Sequence, residues 1–111
     1  MMSSISELFN ILESVLPEKV FRDVPPDDQE YPYLIVEFAG ERNDFASNRL
    51  IREKAIYQLA YITEGVEKEL QPIKAVLKEK GILHEPFVPG PYKENDQLIT
   101  QFISYVRCNY G

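Results

Sequence analysis

Apolar and polar side chains alternate along a stretch in the middle of the chain, from Arg52 to Thr63. Such alternation places successive residues on opposite faces of a β-strand. One face would carry Ala55, Tyr57, Leu59 and Tyr61, and the other Lys54, Ile56, Gln58, Ala60 and Ile62. Because both sets contain apolar residues, both faces of this strand should be partly covered.

The segment from Tyr33 to Phe38 is rich in β-branched and aromatic residues and predicts another strand. Leu34, Val36 and Phe38 share one face, which we expect to pack under the first helix. The polar segment Gly40 to Arg49 lacks periodicity and predicts a connection between the two strands. It is longer than the ordinary hairpin loop of about two to five residues, so it either extends the strands or projects from the body.

Two helices flank these strands. The order Ser4-Ile5-Ser6-Glu7 fits a capping box, and an apolar stripe followed by Pro17 predicts a helix over residues 5–16. The second helix carries an apolar stripe of its own, made of Val66, Leu70, Ile73 and Leu77. Pro72 leaves two interpretations, a kinked helix or one that begins close to Gln71, and Gly81 is placed to cap its carboxyl end.

Three further strands complete the expected order. Lys19 to Arg22 and Ile82 to Phe87 predict short strands, and Leu98 to Cys108 predicts a long one. Val88 to Gln97 is interpreted as a rigid turn and exposed loop. The order α-β-β-β-α-β-β predicts an α+β fold, a mostly antiparallel sheet with two helices packed on one face. With 111 residues, the chain should form a single domain, residues 1–111.

The charge pattern bears on the kind of partner. Eighteen acidic and twelve basic residues give a net charge of −6, which opposes general binding to nucleic acid. Acidic residues gather at Asp27, Asp28 and Glu30, and basic ones at Arg42, Arg49, Arg52 and Lys54. These groups are either two solvated surfaces or the two sides of a head-to-tail contact between identical subunits.

Residues that could carry chemistry are few. His84 is the single histidine and Cys108 the single cysteine, so the sequence offers no cluster with metal-ligand spacing. It also contains no phosphate-binding glycine loop and no nucleophile elbow. We therefore expect a protein that is not an enzyme and has no metal or cofactor. The sequence shows no membrane-spanning run or signal peptide, which predicts a cytoplasmic protein.

Several segments together resemble the small tail-terminator and tail-completion (head–tail joining) proteins of long-tailed bacteriophages and prophages. The likeness covers the opening helix, Val20 to Pro25, Tyr31 to Val36, Ile56 to Thr63 and the helix that ends at Gly81-Ile82. It implies an α+β subunit that forms a homo-oligomeric ring, commonly a hexamer, in the virion. Its implied partners are the tail-tube and head-connector proteins.

On this hypothesis the segments Gly40 to Arg49 and Val88 to Gln97 are assembly arms. The candidate interface consists of Arg42, Asn43, Asp44, Phe45, Arg49, Tyr92 and Lys93. Phe45 in its polar segment is either an anchor for a neighbour or a side chain that folds back onto its own domain. Tyr57, Tyr61, Tyr105 and Tyr110 suit either the core and its rim or a subunit contact. The alternative function is a small adaptor that binds a partner on an open sheet face or an edge strand.

Overall fold

A computed structural model describes residues 5–24, 30–46, 49–94 and 97–109. Within these ranges, the side chains of 42–46, 49–54, 91–94, 97–98 and 109 are not described. The elements are α1 (Ile5–Glu13), β1 (Val20–Arg22), β2 (Tyr33–Ala46), β3 (Arg49–Thr63), a 3₁₀ helix (Glu67–Leu70), α2 (Gln71–Glu79), β4 (Val88–Glu94) and β5 (Gln97–Asn109). The predicted order of helices and strands is confirmed.

The five strands form one sheet in the order β1-β2-β3-β5-β4. β1 pairs parallel with β2, and every other neighbouring pair is antiparallel. Apolar residues of both helices share a core with one face of the sheet, here called the covered face. The opposite side is called the helix-free face. The structure is therefore the α+β fold with a mostly antiparallel sheet that the sequence predicts.

The core is built from rows of residues that cross the covered face. In one row Leu34 lies opposite Tyr61, which lies opposite Phe102, and all three are buried. The helices contribute fully buried side chains above these rows, namely Leu8, Leu12, Ile73 and Leu77. Burial of apolar surface of this kind is the main favourable contribution to folding.

The prediction for β2 is confirmed at two of its three positions. Leu34 and Val36 are fully buried in the same core as Leu8 and Leu12. Phe38 is 50% exposed and packs the edge of its ring against Tyr57, with ring centroids 5.7 Å apart. Pairing of β2 with β3 shifts by one residue directly after Phe38, so the alternation that buries Leu34 and Val36 ends at this residue.

The helix boundaries follow from local chemistry. α1 ends at Glu13, earlier than the predicted residue 16, and Val15 and Leu16 still pack partly buried against the core. α2 begins at Gln71, which confirms the second interpretation of Pro72, since proline is tolerated in the first helical turn. Gly81 adopts φ = 71°, and the N–H of Ile82 donates to the carbonyl of Leu77, which confirms the predicted cap. Ser4 lies outside the described residues.

Two predictions of local structure were wrong. The segment Ile82 to Phe87 does not form a strand, and His84 makes only an isolated β-bridge to Val106. The strand is instead β4, in the segment interpreted as a turn and loop. Pro89 and Pro91 suggested a break, but proline is compatible with an edge strand where the missing N–H would face away from the sheet.

The connection Gly40 to Arg49 is also mostly strand. β2 continues to Ala46 and β3 begins at Arg49, so residues 47 and 48 alone separate two long paired strands. Apolar and polar residues alternate only where one face of a strand packs on the core. A ribbon that extends beyond the core has no such requirement, so the sequence of this segment shows no alternation.

Candidate functional site

Two hairpins extend beyond the five-stranded body. The β2–β3 arm consists of residues 43–46 and 49–53, because the pairing of β3 with β5 among the described residues starts at Lys54 and Asn109. The β4–β5 arm consists of residues 92–94 and 97–98, because β3 ends opposite Thr100 and Ile99 is still buried in a core with Tyr33 and Ile62. Since β3 and β5 run antiparallel, the two arms leave opposite ends of the sheet.

The arms make the molecule elongated. Its principal extents are 53 × 25 × 24 Å, and its radius of gyration is 15.0 Å. A compact domain of this length has a radius of gyration of about 13 Å. A two-stranded ribbon is at best marginally stable by itself, so each arm is suited to gain order from a contact.

The predicted interface residues fall on both arms or beside them. Arg42 lies at the base of the β2–β3 arm, on which Asn43, Asp44, Phe45 and Arg49 also lie. The backbone positions of Tyr92 and Lys93 lie on the β4–β5 arm, at the other end of the molecule. The structure therefore separates the predicted set into two groups. Their side chains are not described, so both alternatives for Phe45 stay open.

The predicted acidic group is described only in part. Asp27 and Asp28 lie outside the described residues, and so does Tyr110. Glu30 is exposed, and its carbonyl oxygen accepts a hydrogen bond of 3.1 Å from Nζ of Lys19. This bond joins the start of β1 to the residues that lead into β2.

The outer edge of β4 is poorly suited to pairing with another strand. The N–H of Glu85 donates to the carbonyl of Tyr105, so the odd-numbered residues of β5 direct their backbone groups toward the β4 side. Pro89 and Pro91 lie opposite Phe102 and Thr100, the even-numbered positions, so their nitrogens face outward. An edge with proline nitrogens lacks the donors that strand addition requires.

The opposite edge of the sheet consists of the three-residue strand β1 and the part of β2 that continues beyond it. Val36 and Leu34 form backbone hydrogen bonds with the β1 side, but pairing with β3 shifts by one residue between Phe38 and Gly40. Gly40 has φ = 148°, a conformation that glycine adopts without a Cβ penalty. The bulge breaks the even spacing of outward backbone groups that a partner strand would need. Contacts between side chains are therefore favoured over edge pairing on both sides of the sheet.

The helix-free face carries exposed apolar side chains. Leu83 is 78% exposed and Val88 is 63% exposed, and Tyr105 lies between them in two adjoining grooves of about 430 and 290 Å³. Farther along this face Tyr33, Ile62 and Ile99 are buried in a second small core. Tyr31 stacks on Tyr33 with centroids 5.7 Å apart and helps to cover this core. The face is thus covered at one end and open around Tyr105.

The tyrosines divide between the two faces. Tyr57 and Tyr61 are buried on the covered face, as expected for core residues. Tyr105 is exposed on the other face, and its hydroxyl donates to Oε1 of Gln58 at 3.3 Å. The interpretation as a contact residue therefore remains for Tyr105 and not for the two buried tyrosines.

A further groove lies on the covered face, between the 3₁₀ helix with α2 and the segment around β4. Its volume is about 690 Å³. Val66, Leu70, Phe87 and Phe102 supply apolar walls, and Lys74 lies at its side. The sequence did not reveal this groove, because it exists only where the helix layer stops short of β4.

Glu69 joins the 3₁₀ helix to the end of β3. Its Oε1 accepts hydrogen bonds from the hydroxyls of Tyr61 at 2.9 Å and Thr63 at 2.8 Å. Its Oε2 accepts one from the N–H of Val66 at 3.2 Å. Burial, followed by the hydrogen bond and the negative charge of Glu69, raises the pKa of the Tyr61 hydroxyl well above its ordinary value. The phenol therefore remains a donor at neutral pH.

The two candidate reactive residues, His84 and Cys108, have contacts typical of residues with a structural role. Nδ1 of His84 lies 2.7 Å from the carbonyl oxygen of Glu85, so Nδ1 carries the proton in that contact. The hydroxyl of the buried Ser104 donates to the same carbonyl oxygen. Cys108 is buried in the core, and burial, with a smaller effect of the charge on Glu7, raises the pKa of its thiol to about 11.

Within residues 5–24, 30–46, 49–94 and 97–109, no group of three or more His, Cys, Asp or Glu side chains is arranged to hold a metal ion. In the same part of the chain, no helix has both the length and the apolar character needed to cross a bilayer.

Comparison with known proteins found no family model that matches the chain and no curated protein that matches it.

Proposed function

We propose that this chain is a non-enzymatic structural subunit that assembles with copies of itself into a ring. In the proteins that the sequence resembles, this ring is the tail terminator or head–tail joining ring of a long-tailed bacteriophage or prophage, and we infer the same role here. The observation that carries the proposal is the pair of arms at opposite ends of one sheet. Each arm extends its paired backbone beyond the five-stranded body, where a neighbour, a tail-tube protein or a head-connector protein can reach it.

The shape of the sheet supports contacts of this kind. One edge carries the prolines of β4, and the other consists of the three-residue strand β1 and the bulged part of β2 beyond it, so copies are not expected to join by extending the sheet. Arms and surface grooves remain as places of contact. A heterologous contact between different patches of identical subunits closes into a ring when its rotation allows closure.

The mass of the particle in solution tests the proposal. Light scattering after size-exclusion chromatography should give one defined higher oligomer, and negative-stain microscopy should show rings. If the protein stays monomeric at every concentration up to the local subunit concentration in an assembled virion, the proposal is contradicted.

Shortening the β2–β3 arm tests its role directly. Deletion of Asn43 to Asn48 joins Arg42 to Arg49 and leaves residues 49–53 to form the loop. We expect a folded monomer that no longer forms rings. The matched control replaces the same residues with glycine and serine at unchanged length, which separates the effect of arm length from that of arm sequence. If the deletion leaves the oligomer unchanged, this arm does not take part in the subunit contact.

The open region around Tyr105 favours a second candidate function, an adaptor that binds a partner on the helix-free face. Exposed apolar side chains that adjoin in grooves are typical of interaction surfaces. The same mass measurement distinguishes the two functions, since an adaptor is expected to be monomeric or dimeric. In that case alanine at Tyr105 should abolish capture of the partner while the fold is retained.

A further inference from the structure

The groove of about 690 Å³ on the covered face lies between the 3₁₀ helix with α2 and the segment around β4. We propose that it binds an extended peptide segment of a partner protein, in which an acidic and a basic residue lie four positions apart with an apolar residue midway between them. The inference goes beyond the proposed self-assembly, since it assigns a binding site that a ring of identical subunits does not require.

The groove is long and narrow. Thr100 and His84 both line it, and His84 bridges to Val106, six residues along β5 from Thr100. Six residues of a strand span about 20 Å, so the groove has a mean cross-section of about 35 Å² over that length. A single extended chain fits such a groove, because strands pack about 4.8 Å apart, whereas an α-helix with side chains is about 10 Å wide.

The floor of the groove and the side opposite α2 are apolar. Leu70 and Phe102 are buried beneath it, and Phe87 is half-buried at its side. Val66 also lines the groove and is 60% exposed. Exposed apolar surface in a concave site favours the burial of an apolar side chain from a ligand.

The side formed by the 3₁₀ helix and α2 carries one charge of each sign. Glu67, Gln71 and Lys74 line the groove from this side, and Glu67 and Lys74 are the charged residues in the part of the lining that the structure describes. Since the 3₁₀ helix runs directly into α2, these two residues lie about 12 Å apart along the helical axis. Glu85, beside His84, lines the two grooves of the helix-free face instead.

The spacing of these charges matches an extended chain. Side chains at positions i, i+2 and i+4 of a strand point to the same side, and positions i and i+4 lie about 13 Å apart. An acidic residue near Lys74, a basic residue near Glu67 and an apolar residue between them can therefore bind at the same time. The amide of Gln71 and the hydroxyl of Thr100 also line the groove and can form hydrogen bonds with the main chain of the segment.

Fluorescent peptides test the site. Three peptides share the sequence Ala-X-Ala-Phe-Ala-Z-Ala with blocked ends, where X and Z are Asp and Lys, Asp and Asp, or Lys and Lys. In fluorescence anisotropy at low salt, the Asp–Lys peptide should bind about fivefold or more tightly than either of the others, because each of those places a like charge against the groove. A fourth peptide, with Asp and Lys three positions apart, directs the charges to opposite sides and should bind as weakly as the two peptides of uniform charge.

Charge reversal in the groove should change this preference. Glu67→Lys should favour the Asp–Asp peptide, and Lys74→Glu the Lys–Lys peptide. The chain with both changes should favour the Asp–Lys peptide again, because an extended segment can lie in either direction. Lys68→Glu and Glu79→Lys are the matched controls, since both residues are exposed and do not line the groove, and they should keep the wild-type preference. Circular dichroism establishes that each variant is folded.

The proposal is overturned if the Asp–Lys peptide does not bind the wild type, or if Glu67→Lys and Lys74→Glu leave the preference unchanged. Light scattering on the same variants examines the alternative occupant, a second copy of this chain. If Lys74→Glu changes the mass of the oligomer and no peptide binds, the groove is a contact between copies and the peptide site is wrong. Because oligomer mass and peptide binding are measured separately, failure of the peptide site leaves the proposed self-assembly standing.

Discussion

The covered and helix-free faces of the sheet are built from similar residue types but are protected in different ways. On the covered face Val36 and Leu59 are fully buried beneath the helix layer. On the helix-free face Tyr33 and Ile62 are buried with the help of Tyr31, whereas Tyr105 remains exposed. The comparison shows that apolar alternation identifies the strands but does not say which face receives the helices. Stability should therefore depend mainly on the covered face.

The largest effect is expected from a charge placed on the covered face. Val36→Asp should unfold the domain, since an unpaired buried carboxylate costs several kcal/mol against a total stability of about 5–15 kcal/mol. Phe38→Asp in the same strand is the control, and it should remain folded because Phe38 is half-exposed. Thermal unfolding followed by circular dichroism measures both. A cooperative transition for Val36→Asp at the wild-type temperature would mean that the covered face is wrongly assigned.

A smaller loss is expected from a glycine beside the helix layer. A Cβ on Gly65 would overlap with Oε2 of Glu69 and displace the carboxylate that accepts hydrogen bonds from Tyr61 and Thr63. Gly65→Ala should therefore lower the free energy of unfolding by about 1–3 kcal/mol.

The matched variant is Gly90→Ala in β4, where the nearest contact of the added Cβ is Gln101 at 3.8 Å. This change should alter stability by no more than about 0.5 kcal/mol. Urea denaturation of the two variants gives the comparison, and equal losses would contradict the role of Glu69.

A pH-dependent effect is expected from Cys108 on the covered face. Its thiol has a pKa of about 11 in the folded protein and 9.0 without the protein environment. The protonated thiol is present in both states below pH 9, so its contribution to stability is complete there. As the pH rises through the interval between the two values, the unfolded chain releases the proton first and stability falls.

Comparison with Cys108→Ala separates the contribution of the thiol to stability from that of tyrosines and lysines, which titrate in the same pH range. The free energy of unfolding of the wild type should decline more steeply than that of the variant across this interval. Parallel curves from urea denaturation would show that the thiol is not held in a desolvated environment.

The smallest effect is expected on the helix-free face. Leu83→Ser removes an apolar side chain that is mostly exposed, so stability should change by no more than about 0.5 kcal/mol. The corresponding change on the covered face, Leu59→Ser, should be strongly destabilising because Leu59 is fully buried. A large loss from Leu83→Ser would show that this residue belongs to the core, and the contrast between the faces would disappear.

The sequence predicted those parts of the fold where burial imposes a period. Leu34 and Leu59 alternate with their neighbours because one face of each strand meets the helices, and the stripe in α2 follows the same constraint. The arms could not be predicted in this way, since their strands pair outside the core. Pro89 and Pro91 gave a misleading signal for a loop, although their spacing of two residues fits an edge strand with both nitrogens directed outward.

Less of the candidate site than of the fold could be predicted from the sequence. Phe45 and Tyr92 could be placed in segments that project, but not assigned to opposite ends of the molecule, because that depends on the antiparallel pairing of β3 with β5. The groove beside Lys74 depends on where the helix layer ends relative to β4, which no local pattern encodes.

The prolines of β4 have a consequence for encounters between molecules in a concentrated solution. Strands that share a ladder of main-chain hydrogen bonds must break many bonds together before they separate. At Pro89 and Pro91 such a ladder lacks donors, so two copies that collide edge to edge in a wrong orientation part again quickly. Encounters of this kind remain reversible, which should protect the protein from irreversible edge-to-edge stacking at high concentration.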